Sequence, residues 1–309
     1  MKKTILLFPG QGSQCKGMGR ELAETDSWSM DLWKKAEQVS RLPLREIFWD
    51  GDEKDMAETK ALQPALTVVN CSLWKILASR VEPIGAAGHS LGEFSALFAA
   101  EVLSIEDVLT LTALRGSLMD QADPKHTGGM VAVVKLEVET VLELIEEAKA
   151  ETGELLVAAN FNTPVQTVVS GTNAALAAFM PKVKAKKGRA IALKVSAAFH
   201  SPIMDEANSE FAKVLAKASW HRAKFPVYGN VDGCGAVDGD ALYEKVKRQM
   251  TSGVQWVETV RTQYADGARA WLEIGPKSLL VKMVPACLSC ADGIETAAVT
   301  DRESCEGIE

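Results

Sequence analysis

The stretch Gly88-His89-Ser90-Leu91-Gly92 constrains this chain more than any other. Glycines two before and two after a serine permit a turn so sharp that neighbouring backbones nearly touch, and the serine side chain is pushed outward. The run before it, Ile84-Gly85-Ala86-Ala87, is short, apolar and small, as a buried parallel strand ending beneath such a turn should be. Residues 93–102 read as a helix. The five-residue pattern fits a nucleophile elbow, and taken alone it also fits an ordinary strand-to-helix turn.

A chain of 309 residues, 47% hydrophobic and 24% charged, can bury a large core in one domain with an insertion or in two domains. The apolar run Ile5-Leu6-Leu7-Phe8 is cut off by Pro9-Gly10, which predicts a first strand over 4–8 and not a signal peptide. No apolar run reaches the length of a membrane span, so a soluble, cytoplasmic protein without a membrane role is expected. Six cysteines scattered through the chain favour reduced thiols. Cys287 and Cys290 form a lone C-x-x-C with no second pair or nearby histidine, so no metal is expected. A formal charge of -7 argues against nonspecific nucleic-acid binding.

The glycine-rich turn after the first strand, Pro9 to Gln14, does not bind a nucleotide. Cys15 stands where a dinucleotide fingerprint needs glycine, and the Gly-Lys-Ser/Thr of a phosphate loop never occurs. Such a turn can instead aim backbone N–H groups at a developing negative charge, with Gln11 the natural candidate. Residues 21–80 read as helices and loops, with Trp28, Leu32, Trp33, Ala36 and Val39 at helical spacing as core and Gln63-Pro64 preceding a second helix. Ser104 to Asp107 reads as a capping box for a helix whose apolar face includes Leu111 and Leu118. Arg115 lies beside that face, either snorkelling to the surface or clamping a substrate carboxylate.

From Met130 to Val195 the order is strand, helix, strand, strand, helix, strand, which predicts a small ferredoxin-like domain inserted over 126–196. Residues 1–125 and 197–309 then form the large α/β domain with a mainly parallel sheet. His200 follows the turn after this insertion and is the leading candidate base among four histidines. Helices are expected over 203–218, 241–250 and 254–264, strands over 226–230 and 268–274, and a frayed end after Asp301.

With these pieces placed, the sequence resembles the malonyl-CoA:acyl-carrier-protein transacylases of fatty-acid synthesis and the related acyltransferase domains of polyketide synthases. The resemblance runs nearly end to end. It covers Phe8 to Gln14, Gln63-Pro64-Ala65, Gly88 to Glu93, Arg115-Gly116, Asn160, Ala198-Phe199-His200-Ser201, Gln249 and Glu273 to Pro276. It implies an α/β-hydrolase-like large domain, an inserted ferredoxin-like subdomain and a site in the cleft between them. It also implies transfer of a malonyl group from malonyl-CoA to the phosphopantetheine thiol of an acyl carrier protein. It implies no bound cofactor, a monomer as the default and fatty-acid synthesis as the destination, with a polyketide carrier or a thioester hydrolase built on the same Ser-His site as the alternatives.

The roles implied by position are these. Ser90 is the acylated nucleophile and His200 its base. The backbone N–H groups of Gln11 and Leu91 form the oxyanion hole, and Arg115 binds the malonyl carboxylate, with Gln63, Asn160 and Phe199 also on the substrate side. A main-chain carbonyl near Gln249 orients the histidine in place of an aspartate. Polyketide-type malonyl domains often carry histidine at the position of Ala197. Lys182, Lys184, Lys186, Lys187 and Arg189 form a cationic cluster that is either a solvated face or a steering patch for an acidic carrier.

Overall fold

A computed structural model of the chain describes residues 3–289 and 291–308, so Cys290 lies outside the described residues. The first strand, β1 (Lys3–Phe8), is buried along all but its first residue. Leu6 and Phe8 join the core formed with helices Thr59–Leu77 and Gly92–Ala99, while Ile5 and Leu7 face the opposite core, which includes helix Trp256–Ala265. Burial on both faces explains why β1 reads as an unbroken apolar run and not as an alternating one.

Strand β2 (Glu82–Gly88) pairs parallel to β1 and delivers the elbow. Four strands, β3 (Gly128–Val134), β4 (Leu156–Thr163), β5 (Gln166–Thr172) and β6 (Arg189–Ala192), form a separate antiparallel sheet in the order β4-β5-β3-β6. The chain then returns through β7 (Val227–Tyr228), β8 (Gly235–Ala236), β9 (Ala270–Ile274) and β10 (Glu295–Val299). The large sheet has the order β10-β9-β1-β2-β7-β8 and is parallel except for the β7–β8 pair. The architecture is therefore mixed α/β with a parallel-rich sheet.

In the small sheet Val131 and Val133 pack against its own helices, Val138–Thr152 and Asn173–Ala185, whereas Met130 and Ala132 turn to the core of the large sheet. One sheet face thus closes over the ends of the large sheet's strands, and there the site lies.

Several boundaries differ from the sequence reading. Gln63 and Pro64 lie inside helix Thr59–Leu77, not before it. Val39 is 42% exposed, because the last turn of helix Ser27–Ser40 carries it off the buried face. The segment from Ile203 begins as a short 3-10 turn and becomes α-helical only over Asp205–Leu215. The segment after Asp301 is helical over Arg302–Glu306 and not frayed there: Asp301 caps this helix through a reciprocal bond with Ser304, and Cys305 is buried, while β10 before it adds a parallel edge strand.

Candidate active site

The elbow is locked by backbone packed on backbone. A Cβ at Gly92 would lie 2.0 Å from the Phe8 carbonyl oxygen, and one at Gly10 would lie 2.4 Å from the His89 carbonyl oxygen. These two glycines let the turn after β1 and the turn after β2 touch. Ser90 itself adopts φ 50°, a left-handed conformation that costs a non-glycine residue about 1–3 kcal/mol. The strain is held by two hydrogen bonds from Asn230, whose Oδ1 accepts from the Ser90 N–H at 2.7 Å and whose Nδ2 donates to the Gly88 carbonyl at 2.6 Å.

His200 is the second left-handed residue of the site, with φ 55°, and is buried. Its Nε2 lies 2.7 Å from Ser90 Oγ. Its Nδ1 faces two main-chain carbonyls, Gln249 at 3.0 Å and Ser252 at 3.1 Å. Carbonyls only accept, so Nδ1 carries the hydrogen and Nε2 is left to accept from the serine hydroxyl. Burial, followed by the nearby Arg115 charge, lowers the imidazole pKa from its usual 6.5 to about 3. The ring is a neutral base throughout the physiological range.

Arg115 comes from helix Ile105–Gln121 and is only 1% exposed, which removes the snorkelling alternative. Its Nη1 donates to Gln63 Oε1 at 2.9 Å, and its Nη2 to Gln249 Oε1 at 2.9 Å and to Ser90 Oγ at 3.2 Å. Its Nε has no hydrogen-bond partner among the described residues. Desolvation lowers its pKa to about 10, with Glu93 pulling the other way, so it remains a cation at neutral pH. A buried guanidinium bonded only to neutral oxygens is under-compensated, and a substrate carboxylate would complete it.

Ser90, His200 and Arg115 surround a cavity of about 100 Å³ that Gln11, Gln63, Leu91, Met119, Met130, Asn160 and Phe199 also line. Its size suits a short acyl group. Among the described residues the amides of Gln11 and Leu91 donate to no protein acceptor. Val195 joins this cavity to an outer cleft of about 1700 Å³ bordered by Lys16, Asp52, Lys194 and Lys277. Of the cationic cluster, Lys182 is paired with Glu151 at 2.9 Å, while Lys184, Lys186, Lys187 and Arg189 are exposed. No group of three or more potential metal ligands occurs among the described residues.

The sequence matches the family described as the acyl transferase domain over residues 5–303. The chain belongs to that family. It is 36% identical over 286 residues to a malonyl CoA-acyl carrier protein transacylase of Haemophilus influenzae, covering 91% of this chain and 90% of the relative. Among solved structures it is similar to an acyl carrier protein S-malonyltransferase of Vibrio cholerae, with a TM-score of 0.92, 33% identity and full coverage of both chains. A second structure, a type II polyketide-synthase acyl carrier protein in complex with its malonyl-transacylase, gives a TM-score of 0.92 at 31% identity with 99% of both chains covered.

In this acyl transferase three supporting groups escaped the sequence reading. They are Asn230, the carboxylate of Glu93 and the side chain of Gln249. The Gln249 Nε2 donates to the Ser90 carbonyl at 2.9 Å and to Glu93 Oε2 at 2.5 Å, so one residue serves the histidine with its backbone and the arginine with its side chain. The available signal was Glu93 itself, the one charged residue of helix Gly92–Ala99.

Proposed function

We propose that this protein transfers a malonyl group from malonyl-CoA to the phosphopantetheine thiol of an acyl carrier protein by way of a malonyl ester on Ser90. The observation that carries this reading is the buried Arg115 guanidinium 3.2 Å from Ser90 Oγ. A nucleophile beside a buried cation that no carboxylate of the described residues contacts directly favours an acyl group that ends in a carboxylate. The names of the relatives and their end-to-end coverage support the same reaction.

His200 Nε2 takes the hydroxyl proton as Ser90 Oγ adds to the thioester carbonyl. The amides of Gln11 and Leu91 receive the resulting oxyanion, where each donor is typically worth about 3 kcal/mol. The carbon–sulfur bond then breaks, and the imidazolium returns its proton to the departing CoA thiolate. The carrier's thiol repeats the sequence in reverse, giving its proton to His200 and leaving with the malonyl group. The carbonyl of Gln249 orients the imidazole through Nδ1, so the site works as a dyad. Gln63, Asn160 and Phe199 shape the pocket, and Phe199 restricts it to an unbranched malonyl unit.

The same reading treats residues 1–125 and 197–309 as an α/β-hydrolase-like domain and 126–196 as a ferredoxin-like insertion, consistent with the order β4-β5-β3-β6. Lys184, Lys186, Lys187 and Arg189, with Lys182 partly spent on Glu151, would steer an acidic carrier and act mainly on its association rate. Intact-mass measurement after addition of malonyl-CoA tests the core claim. The parent protein should gain one malonyl group and Ser90→Ala none; absence of added mass on the parent defeats the reading.

A further inference from the structure

Glu93 is 1% exposed at the start of the helix that follows the elbow, and the dyad and clamp as described make no chemical use of it. A carboxylate in such a place is costly unless something requires it. Its two oxygens accept from two different supports of the site: Oε2 from Gln249 Nε2 at 2.5 Å, and Oε1 from the Asn230 N–H at 3.3 Å. Those supports grip Ser90 from both sides, Asn230 at its N–H and Gln249 at its carbonyl. The bond to Glu93 also decides which way the Gln249 amide faces. With its NH2 committed to Glu93 and to Ser90, its oxygen is left pointing at Arg115.

Arg115 therefore has a carboxylate one amide away. We propose that Glu93 is a positioning residue for malonyl transfer: it fixes the Gln249 amide against Arg115 and serves as the buried counter-charge of the guanidinium until a substrate carboxylate takes over. The proposal rests on the malonyl-transfer reading. The charged groups that act on Glu93 are Arg115 from helix Ile105–Gln121 and Lys245 from helix Gly239–Gln249, the latter engaged with Asp232 at 2.9 Å. Burial outweighs both and raises the Glu93 carboxyl to about 7.

Two carboxylates then share one cation when malonate is bound, so malonyl binding and protonation of Glu93 favour each other. The malonyl-CoA KM should rise about fivefold between pH 6 and pH 8, the reciprocal of a substrate-induced rise in the Glu93 pKa. Acetyl-CoA has no carboxylate, and its KM should lack this inflection.

The test is single-turnover acylation of Ser90, read by intact mass, with malonyl-CoA and acetyl-CoA from pH 6 to 8 in the parent, E93Q and E93A. E93Q should lose the malonyl-specific inflection. E93A, which lets the Gln249 amide swing, should also lower the malonyl acylation rate more than the acetyl rate. A parent that takes no malonyl at any pH overturns the transfer reading and this inference with it. A parent that is acylated with parallel pH profiles for the two donors overturns the Glu93 proposal alone, whether or not the variants fold. An E93Q protein that keeps the parent's inflection does the same.

Discussion

The Ser90–His200 pair and Arg115 line one cavity, yet they are held by different kinds of structure. Ser90 and His200 are set largely by main chain, with two left-handed residues, glycines packed on carbonyls and two carbonyls facing Nδ1, and the Asn230 and Gln249 side chains brace the serine's own backbone. Arg115 is set by side chains, the amides of Gln63 and Gln249 and behind them the carboxylate of Glu93. A main-chain carbonyl such as that of Gln249 survives a change of its own side chain, whereas the side-chain amide beside Arg115 does not. On the proposed reading, the chemistry common to all thioesters rests on the main-chain part and selection for an acid on the side-chain part.

The largest effect expected from this contrast is at Arg115. Arg115→Ala should reduce acylation by malonyl-CoA about 100-fold, the scale of losing a buried charge partner, while acylation by acetyl-CoA changes little. Equal losses for both donors, measured by quenched mass spectrometry, would erase the distinction between the two regions. Gln249→Ala divides them within a single residue. Its carbonyl still faces His200 while its amide is gone, so malonyl transfer should fall about tenfold and acetyl transfer less. Parallel losses would mean that the amide supports Ser90 more than Arg115.

The last effect is on stability and not on rate, and it belongs to the main-chain part. His200 is held neutral in the folded state, with its pKa lowered from 6.5 to about 3. The stability this contributes is complete above pH 6.5 and drains away as pH falls toward 3, by at most about 1.4 kcal/mol per pH unit. Thermal melts of His200→Gln should therefore show a shallower acid limb than the parent over that window. Glu93 acts in the opposite direction. Its raised pKa costs stability as pH climbs from 4.5 to about 7 and adds no further slope beyond. Identical acid limbs in parent and His200→Gln would show that the histidine is not held neutral by the fold.

The same contrast governs what could be read from the chain. The elbow's glycines, two residues away on either side, marked Ser90 as a candidate, and helical spacing put Arg115 beside an apolar stripe without choosing between the surface and a clamp; the resemblance supplied both roles. Asn230 and the side chain of Gln249 reach Ser90 across 140 and 159 residues of sequence. No local pattern encodes such a meeting; only the order in which β2 and β7 neighbour one another brings Asn230 to the elbow. Strand β10 was missed for a related reason. It is an edge strand whose first three residues are exposed, so it carries neither the continuous apolar run of β1 nor a clean alternation. Val39 shows the converse failure, since helical spacing alone extended a buried face one turn too far.

The contact of the two turns through Gly10 and Gly92 has a consequence for mutagenesis. The amides of Gln11 and Leu91 are presented by this carbonyl-to-glycine seam, and no side chain takes part in it. Alanine scanning is blind to such a device, because changing either side chain leaves its N–H in place. Gln11→Ala would look dispensable and Leu91→Ala, whose side chain is buried in the core, would register only a packing loss, so the oxyanion role proposed for the two amides would surface only at the neighbouring glycines, disguised as a folding defect.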